Sequence, residues 1–118
     1  MEKDIILTKE ETEASDKPPV KDITFEVEYD PIGQKFFIHL GGVEAVIAYT
    51  QVNNVLDLHH TVVPESFKGQ GLAEKMCAFA FDFAKKNGFK IIPSCPYISQ
   101  KFLPSHPEYK DIVTDSYF

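Results

Sequence analysis

The chain has no tryptophan, only two cysteines and no long apolar run, and its basic residues are outnumbered by acidic ones. Each shortage excludes something. Without tryptophan the core must be filled by other large side chains, and ten phenylalanines with Ile, Val and Leu are the available stock. Two isolated cysteines, Cys77 and Cys95, are too few for a disulfide framework and read as free thiols of a reducing compartment. No apolar stretch approaches the roughly 18–20 residues that cross a bilayer, so no membrane partner is expected. The opening "MEKDIILTKEE" has charges on both sides of a very short apolar run and does not read as a signal peptide. A formal net charge of −6 argues against nucleic acid, which needs a basic footprint, and suits a basic acceptor such as a lysine-rich peptide or a polyamine. The expected setting is cytoplasmic, with the nucleus as a second location.

What is present fits one domain. At 118 residues the chain is long enough to bury a self-sufficient core. Residues 1–20 are rich in Glu, Lys, Asp, Ser and Pro and are expected to form a disordered tail, with Ile5–Leu7 able to pair onto a sheet edge; the domain spans 21–118. In "TFEVEYD", Phe25, Val27 and Tyr29 alternate with acidic residues, the pattern of a half-buried strand. A turn at Pro31 and Gly33 leads to "QKFFIHL". Gly41-Gly42 leads to "VEAVIAYTQV", apolar on both faces and therefore central, and Asn53-Asn54 leads to "VLDLHHTVV". These four strands form an antiparallel meander.

A helix is expected from about Gln70 to Asn87, with Leu72, Met76, Phe79 and Phe83 as its apolar stripe and Gly88 ending it. "FKII" then gives a fifth strand. Reached through a helix, it lies parallel to the fourth strand, with a right-handed crossover. "YISQKFL" reads as a short helix stopped by Pro104, and "IVT" as a last strand. The fold class is α+β.

Between the fourth strand and the helix stands "PESFKGQGLAEKM". Two readings stay open: a plain glycine turn, or an anion site at a helix N-terminus, where unpaired N–H groups and the helix dipole favour a phosphate. The Walker loop, GxxxxGK followed by Ser or Thr, is absent, and GxGxxG fails because Glu74 occupies its third glycine. The remaining pattern is Arg or Gln, two spacers, Gly, a spacer, then Gly or Ala. Lys68-Gly69-Gln70-Gly71-Leu72-Ala73 matches it, with lysine in the first position.

At these residues, on this meander-loop-helix-strand order, the sequence resembles the GCN5-related N-acetyltransferase family. "DLHHTVVPESFKGQGLA" followed by "IIPSCPYISQKFL" narrows the likeness to unusually short members with a D-L-x-H-T strand, a glycine loop and a cysteine after the fifth strand. The match runs from about Phe25 to about Leu103. The resemblance implies acetyl-CoA as cosubstrate and an amine as acceptor, for example a protein lysine, an N-terminus, a small amine or a histone tail. It makes His60 and Cys95 the catalytic candidates. Coenzyme A would be held by Leu58, His60, Thr61, Val62 and Val63 of the strand, by Lys68, Gly69, Gln70, Gly71, Leu72 and Ala73 of the loop, and by Tyr97. No metal is expected.

Read from the residues alone, strict alternation puts Leu56, Leu58, His60 and Val62 on one face and Asp57, His59 and Thr61 on the other. His60 is then either a core histidine or a catalytic base. Cys95 is a small buried filler or a nucleophile at a strand end. Cys77 reads as helix packing, and His39 and His106 belong to no constellation. Pro93 lacks an N–H, so pairing of the fifth strand to the fourth should fail there and open a wedge. Larger members of the family carry a helical segment between the first two strands. Here "PIGQ" stands in its place, which implies an open acceptor groove and weak activity. The competing expectations are a coenzyme-A-binding sensor without turnover, and an interaction domain using the Phe-rich sheet edge.

Overall fold

A computed structural model describes residues 25–117. The expectations for the tail, residues 1–20, lie outside the described residues. The sheet has five strands in the order β1-β2-β3-β4-β5: β1 (Glu28–Asp30), β2 (Lys35–His39), β3 (Glu44–Val52), β4 (Val55–Val62) and β5 (Lys90–Ile92). The first four are antiparallel neighbours and β5 runs parallel to β4. Between β4 and β5 lies the long helix α1 (Leu72–Asn87). The α+β meander with a parallel fifth strand is as expected.

The turns follow local chemistry. Asp30 Oδ1 accepts the N–H groups of Ile32 at 3.1 Å and Gly33 at 2.9 Å, which closes the β1–β2 connection. Asn53 adopts φ 55° in the β3–β4 hairpin. Gly88 ends α1 at φ 77°, and its N–H donates to the Ala84 carbonyl.

One face of the sheet carries the core. Phe36 and Ile38 of β2, Ala45, Ile47 and Tyr49 of β3, and Leu56 and Leu58 of β4 are buried beneath α1. The buried stripe of α1 is Leu72, Met76, Cys77, Ala80, Phe81 and Ala84. It is rotated from the expected one: Phe79 is 36% exposed and Phe83 only half-buried. Small residues explain the shift, because Cys77, Ala80 and Ala84 let the helix approach the sheet. Phe83 instead packs along the rim against Tyr29, with ring centres 4.4 Å apart. Burial pushes the Cys77 thiol pKa upward, in keeping with the packing role expected of it.

Four further expectations need correction. The β1 ladder is three residues long, although Phe25, Val27 and Tyr29 do alternate toward the core. Pro104 does not stop the C-terminal helical segment. A wide turn over Ile98–Phe102 runs on into a helix α2 (Leu103–Ser105), so Pro104 lies within the helical segment, one residue before its end. The last strand reduces to one parallel bridge, Ile91 with Val113, beside a tight helical turn over Pro107–Ile112.

The fourth correction concerns β4. Tyr49 pairs with Leu58 but its neighbour Ala48 pairs with His60, so the register shifts and His59 is the extra residue of a β-bulge. Alternation flips there. Thr61, paired with Ile47, turns to the core face, and His60 turns to solvent.

Truncation should separate packing from backbone strain. Phe81, fully buried between Phe102 and Tyr109 at 5.4 and 5.2 Å, should lose about 3–5 kcal/mol of stability as Phe81→Ala, enough to unfold much of the population. Gly88→Ala meets no atom within 4 Å and should lose only about 1 kcal/mol, from its left-handed φ. Urea denaturation followed by circular dichroism measures both.

Candidate active site at the strand fork

The glycine loop begins with a helical turn over Glu65–Phe67, in which the Phe67 N–H donates to the Pro64 carbonyl at 2.9 Å and the Lys68 N–H to the Glu65 carbonyl at 3.2 Å. Gly69 and Gly71 follow with φ of 84° and 76°. A Cβ on either would meet nothing within 4 Å, so the backbone angle, rather than crowding within the protein, calls for glycine. Gly71 is the N-cap of α1, without a side-chain cap, and the first helical bond runs from the Lys75 N–H to the Gly71 carbonyl at 3.0 Å. Among the described residues, the N–H groups of Gly69 through Glu74 have no acceptor. Of these residues all but Gln70 line a concavity of about 240 Å³ whose other walls include Val63, Phe67 and Tyr97. Partial burial raises the Tyr97 phenol pKa. Lys68, 60% exposed, pairs at 3.1 Å with the exposed carboxylate of Glu65. The chain has no arginine, so lysine is its only strong cation for such a site.

The wedge is present, with one change. The β4–β5 ladder stops at Asp57 with Ile92, directly before Pro93. The Leu58 carbonyl, expected to be free for the cofactor, instead accepts the Cys95 N–H at 2.9 Å. Beyond that bond the two strands share no backbone pairing. Cys95 is thereby pinned at the fork. Its carbonyl accepts the N–H groups of Ile98 at 3.0 Å and Ser99 at 3.1 Å, which starts the C-terminal helical segment. The residue is 6% exposed, and its thiol donates to Thr61 Oγ1 at 3.3 Å.

The two expected catalytic side chains are not brought together. The bulge at His59 places Thr61 against Cys95 and points His60 the other way. His59 and His60 are both exposed, and among the described residues neither ring has a hydrogen-bond partner. Val62 is also exposed, at 43%, whereas Val63 reaches the concavity.

Two histidines do have constellations that the sequence did not suggest. His39 stands 3.9 Å from Glu28 and 3.8 Å from Glu44 on the exposed sheet face. His106 is held between Glu74 Oε2 at 3.0 Å and Glu108 Oε2 at 3.3 Å, with its ring stacked on Phe102. Glu74 lines the concavity. Glu74 and His106 are 32 positions apart, and no local pattern joins them. Among the described residues, no group of three or more His, Cys, Asp or Glu side chains is placed to hold a metal ion.

Residues 35–112 match the family model for GCN5-related N-acetyl-transferase. Protein NATD1 of Danio rerio is 38% identical over 92 residues, covering 74% of this chain and 83% of the relative. Protein NATD1 of Bos taurus is 33% identical over 97 residues, covering 80% and 85%. The solution structure of a GCN5-like protein from Staphylococcus aureus superimposes with a TM-score of 0.59 at 29% identity, covering 77% of this chain and 89% of the other. A matched segment that takes in β2 to β5, the glycine loop and Cys95 leaves one conclusion: the chain belongs to the GCN5-related N-acetyltransferase family.

Proposed function

We propose that this domain transfers an acetyl group from acetyl-CoA to an exposed amine, by direct attack and without an acetyl-enzyme. The observation that carries the reading is the run of unpaired amides from Gly69 to Glu74, opening α1 beside the strand fork. Members of the family use acetyl-CoA, whose diphosphate supplies acceptors and negative charge for those donors. Gly69 and Gly71 admit it closely. Lys68 adds a mobile cation.

The seat and the thiol are neighbours along the chain. Val63 lies two residues beyond Thr61, and Tyr97 two residues beyond Cys95. In this reading a pantetheine arm runs from the loop along the open edge of β4 toward the Cys95 thiol. Strand amides past Leu58 polarise the thioester carbonyl. The amine nitrogen attacks the carbonyl carbon, the C–S bond breaks, and Cys95 gives its proton to the departing coenzyme A sulfur. The proton lost by the amine returns the thiolate to a thiol. With His60 turned to solvent, the thiol lacks the adjacent base that nucleophilic catalysis needs, which favours the acid role.

The short β1–β2 connection, Pro31 to Gln34, leaves the acceptor side open and suits an amine on a flexible chain, such as a basic peptide or histone tail, drawn by the net charge of −6. A second reading, coenzyme A binding without turnover, is favoured by the same lack of a base beside Cys95.

Titration with coenzyme A, read by amide NMR, should shift Val63, Gly69–Ala73 and Tyr97; shifts confined elsewhere would sink the site. Cys95→Ala should lower kcat roughly a hundredfold or more while changing coenzyme A affinity little, and His60→Ala should stay within about threefold of wild type. Intact mass after rapid quench with acetyl-CoA should show no adduct; an adduct that disappears in Cys95→Ala would replace direct transfer by the covalent route. Binding without product on peptide, polyamine and small-amine panels would leave the sensor reading standing.

A further inference from the structure

Glu74 puts a carboxylate at the rim of a seat meant for an anion. It belongs to the first turn of α1 and lines the concavity under the free amides. Alone, it would repel a diphosphate. Its Oε2, however, lies 3.0 Å from His106 Nε2, and Glu108 Oε2 lies 3.3 Å from Nδ1 of the same ring. Ionised carboxylate oxygens only accept hydrogen bonds. Satisfying both therefore takes two N–H donors on one imidazole, which is the cationic form. The ring is fixed by stacking on Phe102, 4.3 Å between centres and 22° between planes, with Tyr109 6.2 Å away.

The charged surroundings are few. Glu74 faces His106 from α1, and Glu108 faces it from the tight turn that follows. Lys85 of α1 sits behind Glu108, its Nζ donating to the Glu108 carbonyl at 3.3 Å and lying over the Tyr109 ring, whose hydroxyl donates to Asp82. The bond to Glu74 is the largest cause of a raised His106 pKa.

We infer that His106 is a positioning residue of the diphosphate seat: as a cation it ties down and neutralises Glu74, so that anion affinity at the glycine loop falls as pH rises. The inference rests on the coenzyme reading above. The sign follows from the bonds. Below the raised pKa both carboxylates are held by an imidazolium. Above it the neutral ring has one N–H for two carboxylates, the balancing charge is gone, and Glu74 opposes the ligand.

The test uses dephospho-coenzyme A, which keeps the diphosphate and lacks the phosphomonoester that itself titrates in this range. Calorimetry at about pH 6 and about pH 8.5, at one low ionic strength, should show wild-type affinity dropping roughly three- to tenfold at the higher pH. His106→Gln should bind weakly at both values and Glu74→Gln tightly at both. Independently of ligand, NMR of the His106 ring should show a titration above the ordinary value that moves down in Glu74→Gln. An equal drop in wild type and His106→Gln, or a ring that titrates at or below the ordinary value, overturns the inference alone. Absence of binding by every variant at both pH values overturns the coenzyme reading and removes the seat with it.

Discussion

Two parallel strands that run together for three residues and then part are the constraint on which the site depends. β4 and β5 pair from Val55–Lys90 to Asp57–Ile92, and the next residue of β5 is a proline with no N–H to give. One bond, Cys95 N–H to the Leu58 carbonyl, holds the tips at the point of separation. Had the ladder continued, the open edge of β4 would be closed and Cys95 would be one more sheet residue. Because it fails there, a buried thiol stands at the mouth of a fork whose other side leads to the glycine loop.

The bulge at His59 works on the opposite edge of the same strand, and the two irregularities coincide. On the β3 side the extra residue rotates β4 by half a pleat, so Thr61 faces inward and accepts the Cys95 thiol proton at 3.3 Å. On the β5 side the pairing has just ended. Bulges gather where a strand must re-aim a side chain, and this one exchanges a histidine for a threonine at the thiol. The chemistry open to Cys95 is thus decided by one unpaired residue in a hairpin.

The loop and the C-terminal segment complete the site from opposite sides of the chain. Left-handed Gly69 and Gly71 lie in a run of amides without acceptors among the described residues, and α1 adds the positive end of its dipole. The segment after Cys95 wraps back with Tyr97 as a wall, and then brings His106 onto Glu74. Without that return, the first turn of α1 would offer an uncompensated negative charge beside its own donors. The Phe81, Phe102 and Tyr109 rings, packed 5.2–5.9 Å apart, hold this return in place against the helix.

The sequence by itself determined the order and type of the main elements, since each rests on local chemistry. Alternating apolar residues make strands, Asn53 and the loop glycines take positive φ, Gly88 stops a helix, and Pro93 ends a ladder. It also marked the glycine loop as a candidate, because spacing along one continuous stretch carries it, while Cys95 entered through the family resemblance. What only the tertiary structure decided are the relations across the sheet and between distant segments. Alternation along β4 could not show that β3 opposes it one residue short, so the facing of His60 and Thr61 was read in reverse. Helical spacing could not show that α1 turns its alanines to the sheet and leaves Phe79 at the rim. No local pattern joins Glu74 to His106, since their contact exists only when the C-terminal segment has packed on α1.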